Sequence, residues 1–164
     1  MATPLPRLQG AVDERTTLRE MLDYYRVVLI RKLEGLAREQ ATEHATPTGL
    51  TLLNLVRHMA EVEGQFFRRF AGEDVVSRYR TDEDPNADFH PGPDDTVEQA
   101  IADYRAEGAH SNEVLAAHGL DDDVRMGSST LSLRWIMVHM IEETARHAGH
   151  ADVLRELTDG AVGD

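Results

Sequence analysis

The chain has 164 residues, 41% of them apolar and 29% charged, which suits one globular domain over 1–164 with a sizeable core. A formal net charge of -13 would repel a phosphate backbone, and no basic stripe interleaved with aromatics appears, so nucleic acid is not an expected partner. No stretch approaches the roughly 20 apolar residues that cross a bilayer, and MATPLPRLQG lacks the apolar core of a signal peptide, so a cytoplasmic protein without a membrane partner is expected.

Four long helical patterns follow one another and no convincing period-two strand interrupts them, which predicts an all-α class and a four-helix bundle. The first runs from about Asp13 to Ala37, with Leu18, Met21, Leu22, Tyr25, Val28, Leu29, Leu33 and Leu36 at helical spacing behind a capping-type DERTTLRE. Its apolar face is wide enough to suggest a homodimer contact. A short polar link, EQATEHATPTG, leads to a second helix from about Thr51 to Ala71, ended by Gly72. From Glu73 to Asp94 the chain reads EDVVSRYRTDEDPNADFHPGPD, whose prolines and acidic cluster deny it helical period. This is the one long crossover of the bundle, read either as an active-site loop or as a solvated connection. The third helix spans about Thr96 to His118 and is the most polar. The turn GLDDDVRMGSS precedes the fourth, from about Ser132 to Leu157, and the ends 1–11 and 158–164 read as frayed.

The fourth helix carries His139-x3-Glu143-x3-His147-x2-His150. Residues four apart stand above one another on a helix, so Glu143 and His147 can reach one point, and His58 of the second helix can complete a three-ligand metal site. Stepping 100° per residue, the apolar arc of Leu133, Ile136, Met140, Ala151 and Leu154 also holds Glu143 and His147, so both are expected to face the core. A carboxylate buried without a partner costs roughly several kcal/mol, and a bound cation removes that cost. The alternative is a buried ion pair of Glu143 with His58, Arg57 or Arg146, and a His147 satisfied by a neighbouring carbonyl. The absence of cysteine leaves His, Asp and Glu as ligand types and requires any thiol chemistry to use an external thiol.

The helix order, His58 within NLVRHMAEVE, the long second connection and HMIEETARHAGHADVLRE resemble the DinB-like superfamily of four-helix metalloproteins. Within it they resemble the mycothiol-dependent branch of maleylpyruvate isomerases and S-transferases. The resemblance covers nearly the whole chain and implies a divalent metal on His58, Glu143 and His147, with glutamate at the first fourth-helix position as in the isomerase. It further implies that mycothiol or a similar small thiol takes the open coordination position, becomes a thiolate and attacks a small electrophile. Zinc is the metal best suited to this mixed set, with nickel, manganese and iron also compatible by ligand type. Transfer follows if the adduct persists, and isomerisation if it rotates and the thiol leaves. A zinc-dependent hydrolase and a non-catalytic, metal-braced dimeric bundle are the competing readings.

Around this site His150 is assigned as a catalytic proton shuttle or a donor behind the ligands, and His139 as a structural or pocket-lining residue. Arg57 and Arg134 are candidates for binding an acidic substrate or the thiol. Asp152 and Arg155 read as an i,i+3 surface pair, and His44, His90, His110 and His118 as loop or solvent-facing residues. Trp135 reads as packing or a partner contact.

Overall fold

Each long helix begins where a side chain takes up amide groups of the first turn that have no helical acceptor. Asp13 accepts from the Thr16 amide (3.0 Å) and opens α1, Glu14–Arg31. Thr51 and Asn54 exchange side-chain and backbone hydrogen bonds (3.0 and 3.1 Å) to open α3, Leu52–Phe70. Thr96 caps α4, Val97–Ala117, and Ser132 caps α5, Leu133–Asp159, which ends at Gly160 in the left-handed conformation glycine adopts without strain. A single short turn, α2 (Arg38–Ala41), lies in the first link. The computed structural model describes residues 3–43 and 46–163, so His44 lies outside the described residues.

α3 packs on α4 and α5, and α1 packs on α5 and α4, closing a bundle. The apolar face of α1 is spent inside the chain, with Leu22, Val28, Leu29 and Ile30 all buried. The core falls into two clusters. One gathers Leu29, Leu33, Leu55, Met59 and Leu154, the other Leu22, Phe67, Leu115, Leu133, Ile136 and Met140. Between them α3 contributes residues 61–64 and α5 residues 143–148, so a belt rich in polar side chains crosses the middle of the bundle.

Two expectations need correction. α1 stops at Arg31 and not at Ala37, because Gly35 (φ +80°) turns the chain. Leu33 and Leu36 still reach the core beyond the helix end, so the apolar spacing outlasts the helix. The turn before α5 contains a hairpin, β1 (Asp123–Met126) antiparallel to β2 (Ser129–Ser132), with Met126 opposite Ser129. Its two-residue loop starts with Gly127 at φ +60°, a value that favours glycine at the first central position. No helix among the described residues is long and apolar enough to cross a membrane.

Candidate metal centre

The crossover between α3 and α4 has neither helix nor strand, yet it is fastened along one face of α3. Asn54 Nδ2 donates to the Phe89 carbonyl (3.3 Å), and Arg57 donates to the carbonyls of Ala87 (2.8 Å) and Asp88 (3.3 Å). Buried Glu61 accepts from the amides of Arg78 (2.9 Å) and Tyr79 (3.0 Å) and from the Ser77 hydroxyl (2.6 Å). Those carboxylate and guanidinium groups replace water for a stretch of backbone that has no ladder of its own. Arg57 also lies 4.0 Å over the Tyr79 ring and pairs with Asp95 (2.6 Å). Arg57, one of the two arginines offered as candidates for substrate or thiol binding, is thus engaged as a loop anchor.

This fastening delivers Asp88 to His58. The Asp88 carboxylate, with a side chain 0% exposed, lies 2.8 Å from His58 Nδ1 and is clasped by Arg80 at 2.9 and 3.0 Å. Burial would raise the Asp88 pKa, but the hydrogen bonds from His58 and Arg80 hold it well below the usual carboxylate range. An ionised Asp88 accepts the Nδ1–H of His58 and orients the ring, the carboxylate–histidine arrangement found behind metal ligands. The Phe89 ring, 4.4 Å from that of His58, packs against it.

Across from His58, α5 presents His147, the two rings meeting edge to face at 5.1 Å. His147 is 12% exposed, and its Nδ1 is buried with no hydrogen-bond partner among the described residues. Burial, reinforced by His58 nearby, pushes its pKa down to about 4, so the ring is neutral at pH 7 and offers a lone pair. Glu143 Oε2 stands 3.6 Å from His147 Nε2, while Oε1 is held by Arg146, which also reaches Glu142 (2.6 Å). The expected buried ion pair of Glu143 is thus present in part, with Arg146 as its partner. Glu143 and His147 do not face the core outright. The buried stripe runs through Met140, Thr144, Ala148 and Ala151, and the two residues flank it, partly exposed.

The donor atoms that converge to within 4.8 Å of one another are those of His139, Glu142 and Glu143, a trio on one turn of α5 that shares Glu143 with the expected set. Arg146 accounts for this, drawing Glu143 and Glu142 to one cation. His139 is stacked between Trp135 (4.8 Å) and Phe66 (5.3 Å), so Trp135, although 46% exposed, does pack. His150 is exposed, its ring 5.6 Å from that of His147.

The remaining candidates have other duties. Arg134 pairs with Glu14 (2.6 Å) and Asp121. Asp152 binds Lys32 (2.6 Å), and Arg155 binds Asp159 (2.8 Å) and the carbonyls of Lys32 and Glu34, so they are not each other's partners. His90 is exposed and meets Asp84 at 2.7 Å, whereas His110 and His118 are half-buried, His118 edge-on to Phe70. Sequence spacing could not find Asp88 or Arg80, which reach His58 from a loop without period.

Two imidazoles with ring centroids 5.1 Å apart, His58 with a carboxylate behind it and His147 with an orphaned nitrogen, stand beside Glu143 and are of the ligand types that hold a divalent cation, while the donor atoms within 4.8 Å of one another are those of the outer trio. A solved structure described as the conserved protein of locus from Enterococcus faecalis shares the fold, with a TM-score of 0.66 at 16% identity over 92% of this chain and 100% of that one. No curated protein matches the chain. The model of the mycothiol-S-transferase family matches residues 17–160, from the first turn of α1 through the whole of α5, and the chain belongs to that family.

Proposed function

We propose that the protein is a metal-dependent enzyme that joins a small thiol, mycothiol or a close analogue, to an electrophilic small molecule, and that His58, Glu143 and His147 hold the metal. The observation that carries this reading is the buried, unpartnered Nδ1 of His147, on a ring that meets His58 edge to face across the α3–α5 seam. Such an atom costs about 1–3 kcal/mol when nothing bonds to it, and a ligand role relieves that cost. Zinc suits two imidazoles and a carboxylate, and three protein ligands leave a position for a ligand from solution. A divalent cation in this set would stabilise the thiolate form of a bound thiol at neutral pH, which supplies the nucleophile.

The chain's own residues do the rest. Asp88, kept ionised by Arg80, holds the Nδ1 proton of His58 and orients the ring. Phe89 keeps water off one face of that ring. His150, exposed beside His147, exchanges protons between the site and solvent.

Metal content of the purified protein tests the ligand set against the outer trio. About one divalent metal per chain is expected in the wild type, lost in His58→Ala and His147→Ala and retained in Glu142→Gln, since Glu142 belongs to the outer trio alone. Metal retained in His58→Ala but lost in Glu142→Gln would move the site to His139, Glu142 and Glu143. Calorimetric titration of mycothiol into loaded and metal-free protein tests the thiol, and equal heats from both would overturn its dependence on metal.

A further inference from the structure

A cavity of about 710 Å³ opens beside the candidate metal centre, at the start of α3. That volume lies within the roughly 300–1,000 Å³ of small-molecule sites. Phe89 joins the two places, since its ring packs on His58 at 4.4 Å and also lines the cavity. Asn54, one helical turn before His58, lines it as well. Leu50 and Pro91 give it apolar wall, Thr42 and Thr48 give hydroxyl groups, and among the described residues no Asp or Glu lines it. In a chain of net charge -13 a cavity without a carboxylate is a local departure.

Its charge comes from Arg38. The guanidinium is held by two backbone carbonyls, Nη2 to Gly92 (2.7 Å) and Nε to Asp95 (3.0 Å), and has no carboxylate within ion-pair distance among the described residues. The Asp95 carboxylate is turned instead to Arg57 (2.6 Å) and to the Gly92 amide (2.7 Å). Arg38 is thus fixed in direction by neutral groups while its charge stays uncompensated, an arrangement that favours an anion with a planar pair of oxygens. Among the described residues, His90, bound to Asp84 at 2.7 Å, is the other ionisable residue on the wall.

We infer that this cavity seats the carboxylate-bearing end of the molecule that reacts at the metal centre, with Arg38 as its counter-charge and Phe89 as the partition between the two. The inference rests on the reading of His58, Glu143 and His147 as a metal site only for what happens at the far end of the molecule. An aryl or alkyl acid would lay its apolar body against Phe89, Leu50 and Pro91 and its carboxylate toward Arg38. The specificity it predicts is for organic acids over neutral molecules of the same shape.

Phenylacetate and its neutral isostere phenylacetamide are the probes. Each is titrated into 15N-labelled protein, metal-free and zinc-loaded, with wild type, Arg38→Gln and Arg38→Lys. Phenylacetate is expected to shift the amide signals of Arg38, Leu50 and Phe89 and to bind roughly tenfold more tightly than phenylacetamide, a preference lost in Arg38→Gln and kept in part in Arg38→Lys. Equal affinities in wild type, or shifts confined to other residues, would overturn the inference even if neither variant folds. Preference for the acid in metal-free protein that cannot be loaded with zinc would leave the cavity standing while the metal reading fell. Loading without such a preference would do the reverse.

Discussion

Two faces of α3 bury ionisable groups, and they differ in how those groups are partnered. Toward α1 and α4, Glu63 is fully buried and receives the Arg26 guanidinium (Nε to Oε2, 3.2 Å), which also meets Asp23 (2.6 Å) and Asn112 (3.2 Å). Farther along, Arg68 and Arg78 share Glu107, and Arg78 reaches Asp103 (3.0 Å). Toward α5 and the crossover, the His58–His147 seam leaves a buried nitrogen unanswered. That network of paired charges holds α1, α3 and α4 in register. A seam that ends on an orphaned nitrogen adds less to the hold between helices, and in the proposed reading a metal takes up that nitrogen.

The largest effect should come from breaking the paired face. Glu63→Ala strands Arg26, which is 5% exposed, without its main partner, and a loss of about 3–5 kcal/mol in urea unfolding is expected. Metal bound per folded chain should not change, and a change in it would show that the two faces are not independent. Next, Asp88→Asn leaves His58 with a neutral neighbour. Zinc affinity, measured by competition with a chromophoric chelator, should fall about 10–100-fold. An unchanged affinity would mean that Asp88 only fastens the loop. The smallest effect is that of pH on metal-free protein. The folded pKa of His147 is pushed down to about 4 from an ordinary value near 6.5, so the unfolded chain takes up the proton first. The contribution of this group is complete above about 6.5 and is lost as pH falls toward 4. The urea midpoint of wild type should therefore drop more between pH 7 and pH 4.5 than that of His147→Gln, and parallel drops would show that burial does not keep the ring neutral.

How much of this was legible depends on whether a residue obeyed a period. The four long helices were readable because apolar residues recur at helical spacing, and the start of the first because Asp13 opens a capping-type run. His58, Glu143 and His147 stood out by the same logic, as polar residues on or beside a buried stripe. The hairpin was not readable, since strands of four residues are too short to separate alternation from a turn. Asp88 carried no signal at all. It lies 30 residues from His58 in a segment without periodicity, and only the pattern of hydrogen bonds along α3 delivers it. The loop-anchoring duty of Arg57 was not readable for the related reason that sequence does not tell a guanidinium aimed at a loop carbonyl from one aimed at a substrate.

The fastening of the crossover has a consequence for how such a chain can change. Asn54, Arg57, His58 and Glu61 occupy successive turns of one face of α3, and their partners Phe89, Ala87, Asp88 and then Tyr79 and Arg78 run against them. The helix acts as a ruler read backwards by the loop. An insertion or deletion between Ala87 and Phe89 would set the wrong atom opposite each mark, whereas the arch from Thr81 to Asn86, with Thr81, Asp82, Glu83, Pro85 and Asn86 exposed, touches no mark on α3. Change in length belongs to the arch, and change in chemistry, residue for residue, to the measured segment beside His58.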